Sequence, residues 1–171
     1  MNVSKIQFTS YSFYLNVLHL FNDGFQASYL LMLPFIANDL HFSIAQVGIL
    51  GSLFKISTII FALPASSIAR KFGGLQSLLL ASLLYGIGYI FTGLTPNFFL
   101  LIWITLVTGI GFGLFHPVGF GLIANDTKKE HMGKVMGNFT ATGDIGKIAL
   151  SAGITFLITM IGWRPTSIVY G

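Results

Sequence analysis

Five long apolar runs constrain what this chain of 171 residues can fold into. They cover roughly residues 11–37, 46–69, 75–94, 98–124 and 134–161. Each run is long enough for a membrane-spanning helix, which needs about 20 mainly apolar residues. Only 8% of the residues are charged, so a soluble bundle of the same helices would lack the polar faces that meet water. The sequence therefore predicts an integral membrane protein of the all-α class.

The segments between the runs are short and polar. In chain order they read NDLHFS, ARKFGG, TPN and NDTKKEH. Because such short connections join neighbouring helices, those helices are expected to run antiparallel. A sixth run begins near residue 163 and is interrupted at Gly171. We therefore predict one transmembrane bundle over residues 1–171, with five membrane-spanning helices and the start of a sixth.

Basic residues near the ends of the runs predict the orientation in the membrane. One side carries Lys5, Arg70, Lys71, Lys128, Lys129 and Lys134, whereas the other carries only Arg164. Since basic loops stay on the cytoplasmic side, the N-terminus is expected in the cytoplasm of a multi-pass plasma or inner membrane protein. The net charge of +4 is then a topology signal and does not indicate a nucleic-acid partner.

Ionisable side chains inside the apolar runs are the candidate functional residues. A charged group at the bilayer centre costs about 2.5–3.5 kcal/mol on insertion scales, so its presence indicates a functional role. Two histidines add groups that titrate near neutral pH. The candidates for substrate binding or proton coupling are His19, Asp23, Lys55, His116, Asp144 and Lys147.

The spacing of the polar residues places them in stripes on three helices. The stripes comprise Asn16, His19, Asp23 and Gln26 on the first helix, Ser52, Lys55 and Thr58 on the second, and Thr140, Asp144, Lys147 and Ser151 on the fifth. Steps of three and four residues share one helix face, and lipid cannot satisfy polar groups on such a face. The stripes are therefore expected to converge on a protein interior or a water-filled cavity. Because they are short and central, they favour a binding site over a channel.

Each charged pair also has a purely structural interpretation. Asp144 and Lys147 either face a cavity and sense a proton or solute, or form a local ion pair that only neutralises itself. His19 and Asp23 either couple transport or form a structural hydrogen-bonded pair. Lys55 is a candidate partner for an anionic substrate group or for Asp23, the alternative being a lysine that snorkels to the interface.

The fourth run contains TGIGFGLFHPVGFG, residues 108–121. Its glycines permit close helix approach, and Pro117 removes a backbone donor and bends the helix. His116 directly precedes that bend. The segment is typical of a flexible gating helix, although tight packing around a hydrogen-bonded His116 would use the same residues.

The helix pattern and the basic loop after the second helix resemble the N-terminal half of a major facilitator superfamily transporter. In the loop SSIARKFGGL, Lys71 and Gly73 match the superfamily signature. Ser66 stands in place of the first glycine, Arg70 in place of the aspartate and Gly74 in place of a basic residue. Proton-coupled members carry an arginine on the fourth helix where this chain has Thr105. The fifth helix lacks the proline of many antiporters.

Three segments are similar to the fosmidomycin-resistance branch of efflux transporters: HLFNDGFQASYLLMLPFI, FHPVG and TATGDIGKIALSAG. The resemblance implies two six-helix bundles and proton-coupled antiport of a small organic solute by alternating access. It also implies that the candidates on helices one, four and five border a central cavity. Either Asp23 or Asp144 would carry the proton, and Lys55 and Lys147 would hold the carboxylates or the solute.

The chain is not expected to be an enzyme. It has no glycine-rich nucleotide loop ending in Lys-Ser or Lys-Thr, and no cluster with metal-ligand spacing, so no cofactor or metal is predicted. The expected partners are the lipid bilayer, a small solute, protons, and missing C-terminal helices or a partner half. The rival interpretation is a truncated, transport-incompetent membrane protein that at most assembles with a partner half.

Overall fold

The computed structural model describes residues 3–171, with side chains from Ser12 onward, so the side chain of Lys5 lies outside the described residues. The predicted all-α class is confirmed, and residues 3–171 contain no β-strand. A short 3₁₀ turn at Lys129–His131 precedes the fifth helix. The helices are α1 Val3–Asp39, α2 Ile44–Phe72, α3 Gly74–Leu94, α4 Phe98–Asp126, α5 Met132–Ile161 and α6 Trp163–Tyr170.

Four of these helices, α2 to α5, are long and apolar enough to cross a membrane. The first helix is not among them. Its central residues Asn22, Asp23 and Gln26 lower its mean hydropathy, although the helix spans 37 residues. The predicted number of five membrane-spanning helices therefore stays a prediction for α1.

Local chemistry sets several of the helix ends. The Ser43 hydroxyl accepts a hydrogen bond from the Gln46 amide at 3.2 Å, and the Gln46 side chain accepts one from the Ser43 amide at 2.8 Å, which forms a capping box at the start of α2. The side chain of Asn97 caps the start of α4, because its Oδ1 atom accepts a hydrogen bond from the Leu100 amide. Gly73 lies between α2 and α3 with a φ of +94°, a conformation that side chains disfavour.

The bundle is held together by pairs of helices with apolar contacts. Helix α1 packs mainly along α5, α4 packs against both α2 and α3, and α6 packs against α3. One apolar cluster surrounds Tyr29, Phe54 and Tyr89, and a second surrounds Phe115 and Phe139. The polar stripe of α1 lies between Leu15, which belongs to the second cluster, and Tyr29, which belongs to the first.

Small residues allow the helices to approach closely. A Cβ atom at Gly146 of α5 would collide with the backbone carbonyl of Leu20 in α1, and one at Gly113 of α4 would collide with the carbonyl of Thr58 in α2. Backbone atoms cannot rotate away as a side chain can. The glycines therefore set the distance between α1 and α5 and between α2 and α4.

At one end of the bundle, polar contacts join α6 to the ends of α1 and α3. The Trp163 indole donates to Asp39 Oδ2 at 3.0 Å, and Arg164 Nη1 donates to the Thr95 carbonyl at 2.7 Å. The Arg164 guanidinium also stacks 4.3 Å from the Trp163 ring. The beginning of α6 is therefore fixed by specific contacts.

Candidate functional site

Asp23 lies at the centre of a polar cluster formed by three helices. Its Oδ1 atom lies 3.2 Å from His19 Nε2 of α1 and 3.0 Å from His116 Nε2 of α4. Its Oδ2 atom lies 3.1 Å from Lys147 Nζ of α5. Only 5% of the Asp23 side chain is exposed. We call His19, Asp23, His116, Asp144 and Lys147 the Asp23 cluster.

The ring of His19 is held in one orientation by α5 and by aromatic neighbours. Its Nδ1 atom lies 2.7 Å from the carbonyl oxygen of Phe139. The ring is nearly parallel to that of Phe139, with centroids 3.8 Å apart and a 5° interplanar angle, and it also stacks on Phe115. Since a carbonyl can only accept, Nδ1 carries a proton and Nε2 is directed at Asp23.

Lys147 joins two carboxylates. Its Nζ atom lies 2.9 Å from Asp144 Oδ1 on the same helix and 3.1 Å from Asp23 Oδ2 on α1. The local ion pair with Asp144 is therefore present together with a contact across helices, and a role of this pair in sensing a proton or solute stays a prediction. The Asp144 side chain is 60% exposed, whereas Asp23 is buried. One lysine thus connects an inner carboxylate to an outer one.

The cluster contains more carboxylates than lysines. Two carboxylates and one ammonium sum to −1 when both imidazoles are neutral. The sequence predicted four intramembrane charges that cancel, but that sum included Lys55. Because Lys55 does not belong to the cluster, the local charge is left unbalanced.

The structure does not bring Lys55 to Asp23. Lys55 is exposed on α2, and its Nζ atom lies 5.8 Å from the ring centroid of Phe54. Its stripe neighbour Thr58 donates hydrogen bonds to the carbonyls of Phe54 and Gly109. The stripes of α1 and α5 therefore meet each other and His116, whereas the α2 stripe serves helix packing and exposes its lysine elsewhere.

Several contacts of the cluster were missed at the level of sequence. The amide of Asn22 donates to Asp23 Oδ1 at 3.1 Å, and the Phe139 carbonyl accepts from His19. A backbone acceptor leaves no mark in the sequence. Gly143, however, was a usable signal, since a Cβ atom there would collide with the side chains of His19 and Asp23.

The folded chain brings together three residues of metal-ligating type, although the sequence shows no cluster with metal-ligand spacing. His19, Asp23 and His116 place one ligand atom each within 4.8 Å of one another. His19 and His116 are 97 positions apart in the sequence, so no short spacing motif reveals them. Only the packing of α4 against α1 forms the group.

Thr105 fills the position where proton-coupled relatives were expected to carry an arginine. It is buried, and its hydroxyl lies 2.9 Å from the hydroxyl of Tyr29. Tyr29 also contacts Thr92 at 3.4 Å. A network of uncharged hydroxyl groups therefore occupies the position where an arginine was expected.

Comparison with known proteins decides the family. The sequence profile of the Major Facilitator Superfamily matches residues 15–171. The chain belongs to the Major Facilitator Superfamily. This confirms the superfamily resemblance, and the family together with the apolar helices indicates a multi-pass membrane protein. The finer resemblance to the fosmidomycin-resistance branch stays a prediction.

Two curated relatives and one solved structure are similar to this chain. The chain is 30% identical to a "Multidrug resistance protein B homolog" of Mycobacterium tuberculosis over 118 residues, 67% of this chain and 21% of that protein. It is 23% identical to the "Probable sulfoacetate transporter SauU" of Cupriavidus necator over 138 residues, 81% of this chain and 32% of that one. The chain thus spans between a fifth and a third of these curated relatives.

The solved structure confirms the fold. It is a bacterial homologue of the human lysosomal transporter Spinster, in an inward-facing and unoccupied conformation. It superposes with a TM-score of 0.79 at 18% identity and covers 95% of this chain and 40% of that one. The helix arrangement of this superfamily member is therefore that of a known transporter bundle.

Proposed function

We propose that this superfamily member acts in proton-coupled efflux of a small organic solute by alternating access, without a chemical step. Superfamily membership supports transport, and the multidrug-resistance name of one relative supports the outward direction. The relatives named above span roughly three to five times the length they share with this chain. The proposal therefore concerns the whole gene product, including a C-terminal bundle or a partner half.

The negative charge of the Asp23 cluster carries the proton-coupling part of the proposal. Two carboxylates share one ammonium, so one further positive charge would make the cluster neutral. A net charge within a membrane protein is costly, and a proton is the smallest group that removes it. Uptake of one proton per transport cycle would follow from this arrangement.

Asp144 is the proposed proton carrier. Its side chain is 60% exposed and forms an ion pair with Lys147 on the same helix. Behind Lys147 lie Asp23 and His19 of α1 and His116 of α4. Protonation of Asp144 would remove one of the two anions that hold Lys147, and the ammonium would then pair with Asp23 alone. The position of Lys147 would thus report whether the proton is bound.

The same arrangement bears on the solute. Because two carboxylates engage Lys147, its ammonium is already satisfied and has little attraction left for an anion. A solute with a cationic group would compete with the proton for Asp144. Lys55, exposed on α2, remains the candidate partner for an anionic group.

The proposed location is the plasma or inner membrane, with the N-terminus in the cytoplasm. Arg70 and Lys71 form the last turn of α2 and are exposed, and Lys128 and Lys129 lie between α4 and α5. Both connections would lie at the cytoplasmic surface, where basic residues are retained.

The test is the substitution Asp144→Asn in the complete gene product. Everted vesicles are first screened for solutes that release protons in the presence of the unsubstituted protein, from a panel including fosmidomycin and sulfoacetate. Asparagine keeps the size of the side chain but cannot carry the proton. We expect solute-dependent proton movement to be lost, while the amount of protein inserted in the membrane is unchanged.

Asp126→Asn is the matched control, since Asp126 is an exposed carboxylate at the end of α4. It should leave proton movement unchanged. Unaltered proton-coupled transport by Asp144→Asn would refute the role of Asp144 as proton carrier. If the unsubstituted protein transports a solute of the panel and that solute releases no protons, coupling is refuted altogether.

A further inference from the structure

His19, Asp23 and His116 form a nearly equilateral triangle of ligand atoms. Asp23 Oδ1 lies 3.2 Å from His19 Nε2 and 3.0 Å from His116 Nε2, and the two Nε2 atoms are 3.3 Å apart. Ligand atoms about 2.0–2.1 Å from a tetrahedral Zn²⁺ lie about 3.3 Å apart. The triangle therefore has nearly the dimensions of one face of a zinc coordination tetrahedron.

The hydrogen bonds that the described residues form around this triangle supply no single donor that contacts all three ligand atoms. His19 donates its Nδ1 proton to the Phe139 carbonyl at 2.7 Å, so in the neutral ring Nε2 is a lone pair. That lone pair faces Asp23 Oδ1, which is also an acceptor. A proton on His116 Nε2 can bond to one of these atoms but cannot lie between the two of them. A cation at the centre would satisfy all three.

The surroundings resemble those of metal-binding histidines. A ligating imidazole usually donates its other N–H group to a carbonyl or carboxylate, which fixes the ring and its tautomer. The Phe139 carbonyl does this for His19, and the flanking rings of Phe115 and Phe139 restrict the imidazole plane. The two oxygens of Asp23 contact different groups, since Oδ1 faces the imidazoles and Oδ2 faces Lys147.

We propose that these three residues bind one divalent transition-metal ion of the Zn²⁺ class. Two imidazole nitrogens with one carboxylate oxygen favour such an ion over Mg²⁺ or Ca²⁺, which prefer oxygen ligands. The side chain of His116 is 34% exposed, so the fourth position is open to water or a small ligand. The bound ion would join the middle of α1 to α4 at the residue that precedes Pro117.

This inference goes beyond the proposed transport and does not rest on it. Metal binding is an equilibrium property that can be measured without any solute or pH gradient. Proton coupling is proposed for the metal-free cluster, since a bound Zn²⁺ would raise the formal charge of the cluster by two. Absence of metal binding would therefore leave that proposal unchanged, and failure of proton coupling would leave the metal site untouched.

The experiment is a calorimetric titration of Zn²⁺ into the complete gene product. The protein is purified without a polyhistidine tag, stripped of metals and embedded in lipid nanodiscs. We expect one Zn²⁺ per chain at the site and at least about tenfold weaker binding in His116→Asn. His41→Asn and His131→Asn are the matched controls, because both histidines are exposed and remote in sequence from the cluster, and they should bind as the unsubstituted protein does.

The variant Lys147→Met distinguishes Zn²⁺ bound at this site from adventitious Zn²⁺ bound elsewhere. Its ammonium contacts Asp23 Oδ2, so its removal should tighten Zn²⁺ binding about tenfold through loss of a like charge. Co²⁺ provides a second readout that does not depend on any variant. Its visible absorption should show the intense bands of a four-coordinate ion.

The proposal is overturned by any of three results: no stoichiometric Zn²⁺ binding to the unsubstituted protein, unchanged binding in His116→Asn, or the weak absorption of octahedral Co²⁺. Unchanged affinity in Lys147→Met would likewise assign the bound ion to another part of the protein.

Discussion

Lys147 determines whether the buried carboxylate of Asp23 has a cationic partner. Its ammonium contacts Asp23 Oδ2 at 3.1 Å and Asp144 Oδ1 at 2.9 Å. Replacement by methionine keeps most of the side-chain volume and removes the charge. We expect Lys147→Met to lower the free energy of unfolding by about 1–3 kcal/mol, because a mostly buried carboxylate oxygen loses its donor and the half-exposed lysine moderates the loss.

This prediction is tested in mixed micelles by the fluorescence of Trp103 and Trp163 during unfolding. The double variant Asp23→Asn with Lys147→Met should recover most of the loss, since no buried carboxylate is left unpaired and Asp144 is exposed. Lys129→Met, in the exposed turn before α5, is the control for removal of a surface lysine. If the single and double variants unfold like the control, the contact between Lys147 and Asp23 contributes nothing to stability.

The contacts of Asp23 differ in how far the sequence could predict them. His19 lies four positions earlier on the same helix, and its contact with Asp23 follows from helix geometry. The contact of Lys147 with Asp144 follows in the same way. His116 and the Phe139 carbonyl come from other helices, so only the packed structure assigns them to the site. For the same reason, the sequence indicates Lys55 of α2 as one candidate partner of Asp23, whereas the lysine that contacts Asp23 is Lys147 of α5.

At the scale of helices, the close contact of α1 with α5 depends on glycine. A Cβ atom at Gly146 would meet the carbonyl of Leu20, which belongs to the backbone of α1 and cannot move independently. We expect Gly146→Ala to lower the free energy of unfolding by about 1–3 kcal/mol through overpacking. The displacement would also separate Lys147 from Asp23, which are held by the same two helices.

Gly137→Ala is the matched control on the same helix, because an added Cβ there has open space around it. Alanine has the higher helix propensity, so this control should be neutral or slightly stabilising. Unfolding of both variants is measured in the same micelles. A Gly146→Ala protein as stable as Gly137→Ala would show that α1 and α5 can move apart at little cost.

Hydropathy located the helices but not their ends. The second apolar run was placed at about 46–69, whereas α2 extends over Ile44–Phe72. The additional residues include Arg70 and Lys71, which are polar and remain helical. Hydropathy marks the part of a helix that lipid surrounds, whereas capping hydrogen bonds and the glycine at position 73 determine where the helix stops.

At the scale of the whole molecule, the two ends of the bundle differ in charge and in contacts. The connections on one side carry exposed lysines, and the other side contains the network of Arg164, Trp163 and Asp39. A six-to-one imbalance of basic residues follows the pattern by which cytoplasmic loops retain Lys and Arg. Orientation is therefore predicted from the distribution of basic residues along the sequence.

The chain contains no cysteine, so the orientation can be read from single introduced thiols. Pro96→Cys lies in the exposed connection between α3 and α4, and Lys129→Cys lies in the exposed turn between α4 and α5. We expect a membrane-impermeant maleimide to label Pro96→Cys in intact cells and Lys129→Cys only after permeabilisation. The unsubstituted protein measures any background labelling. The opposite pattern would place the N-terminus outside, and since Asp144 lies on the helix that follows Lys129, it would also reverse the side from which the proposed proton carrier is approached.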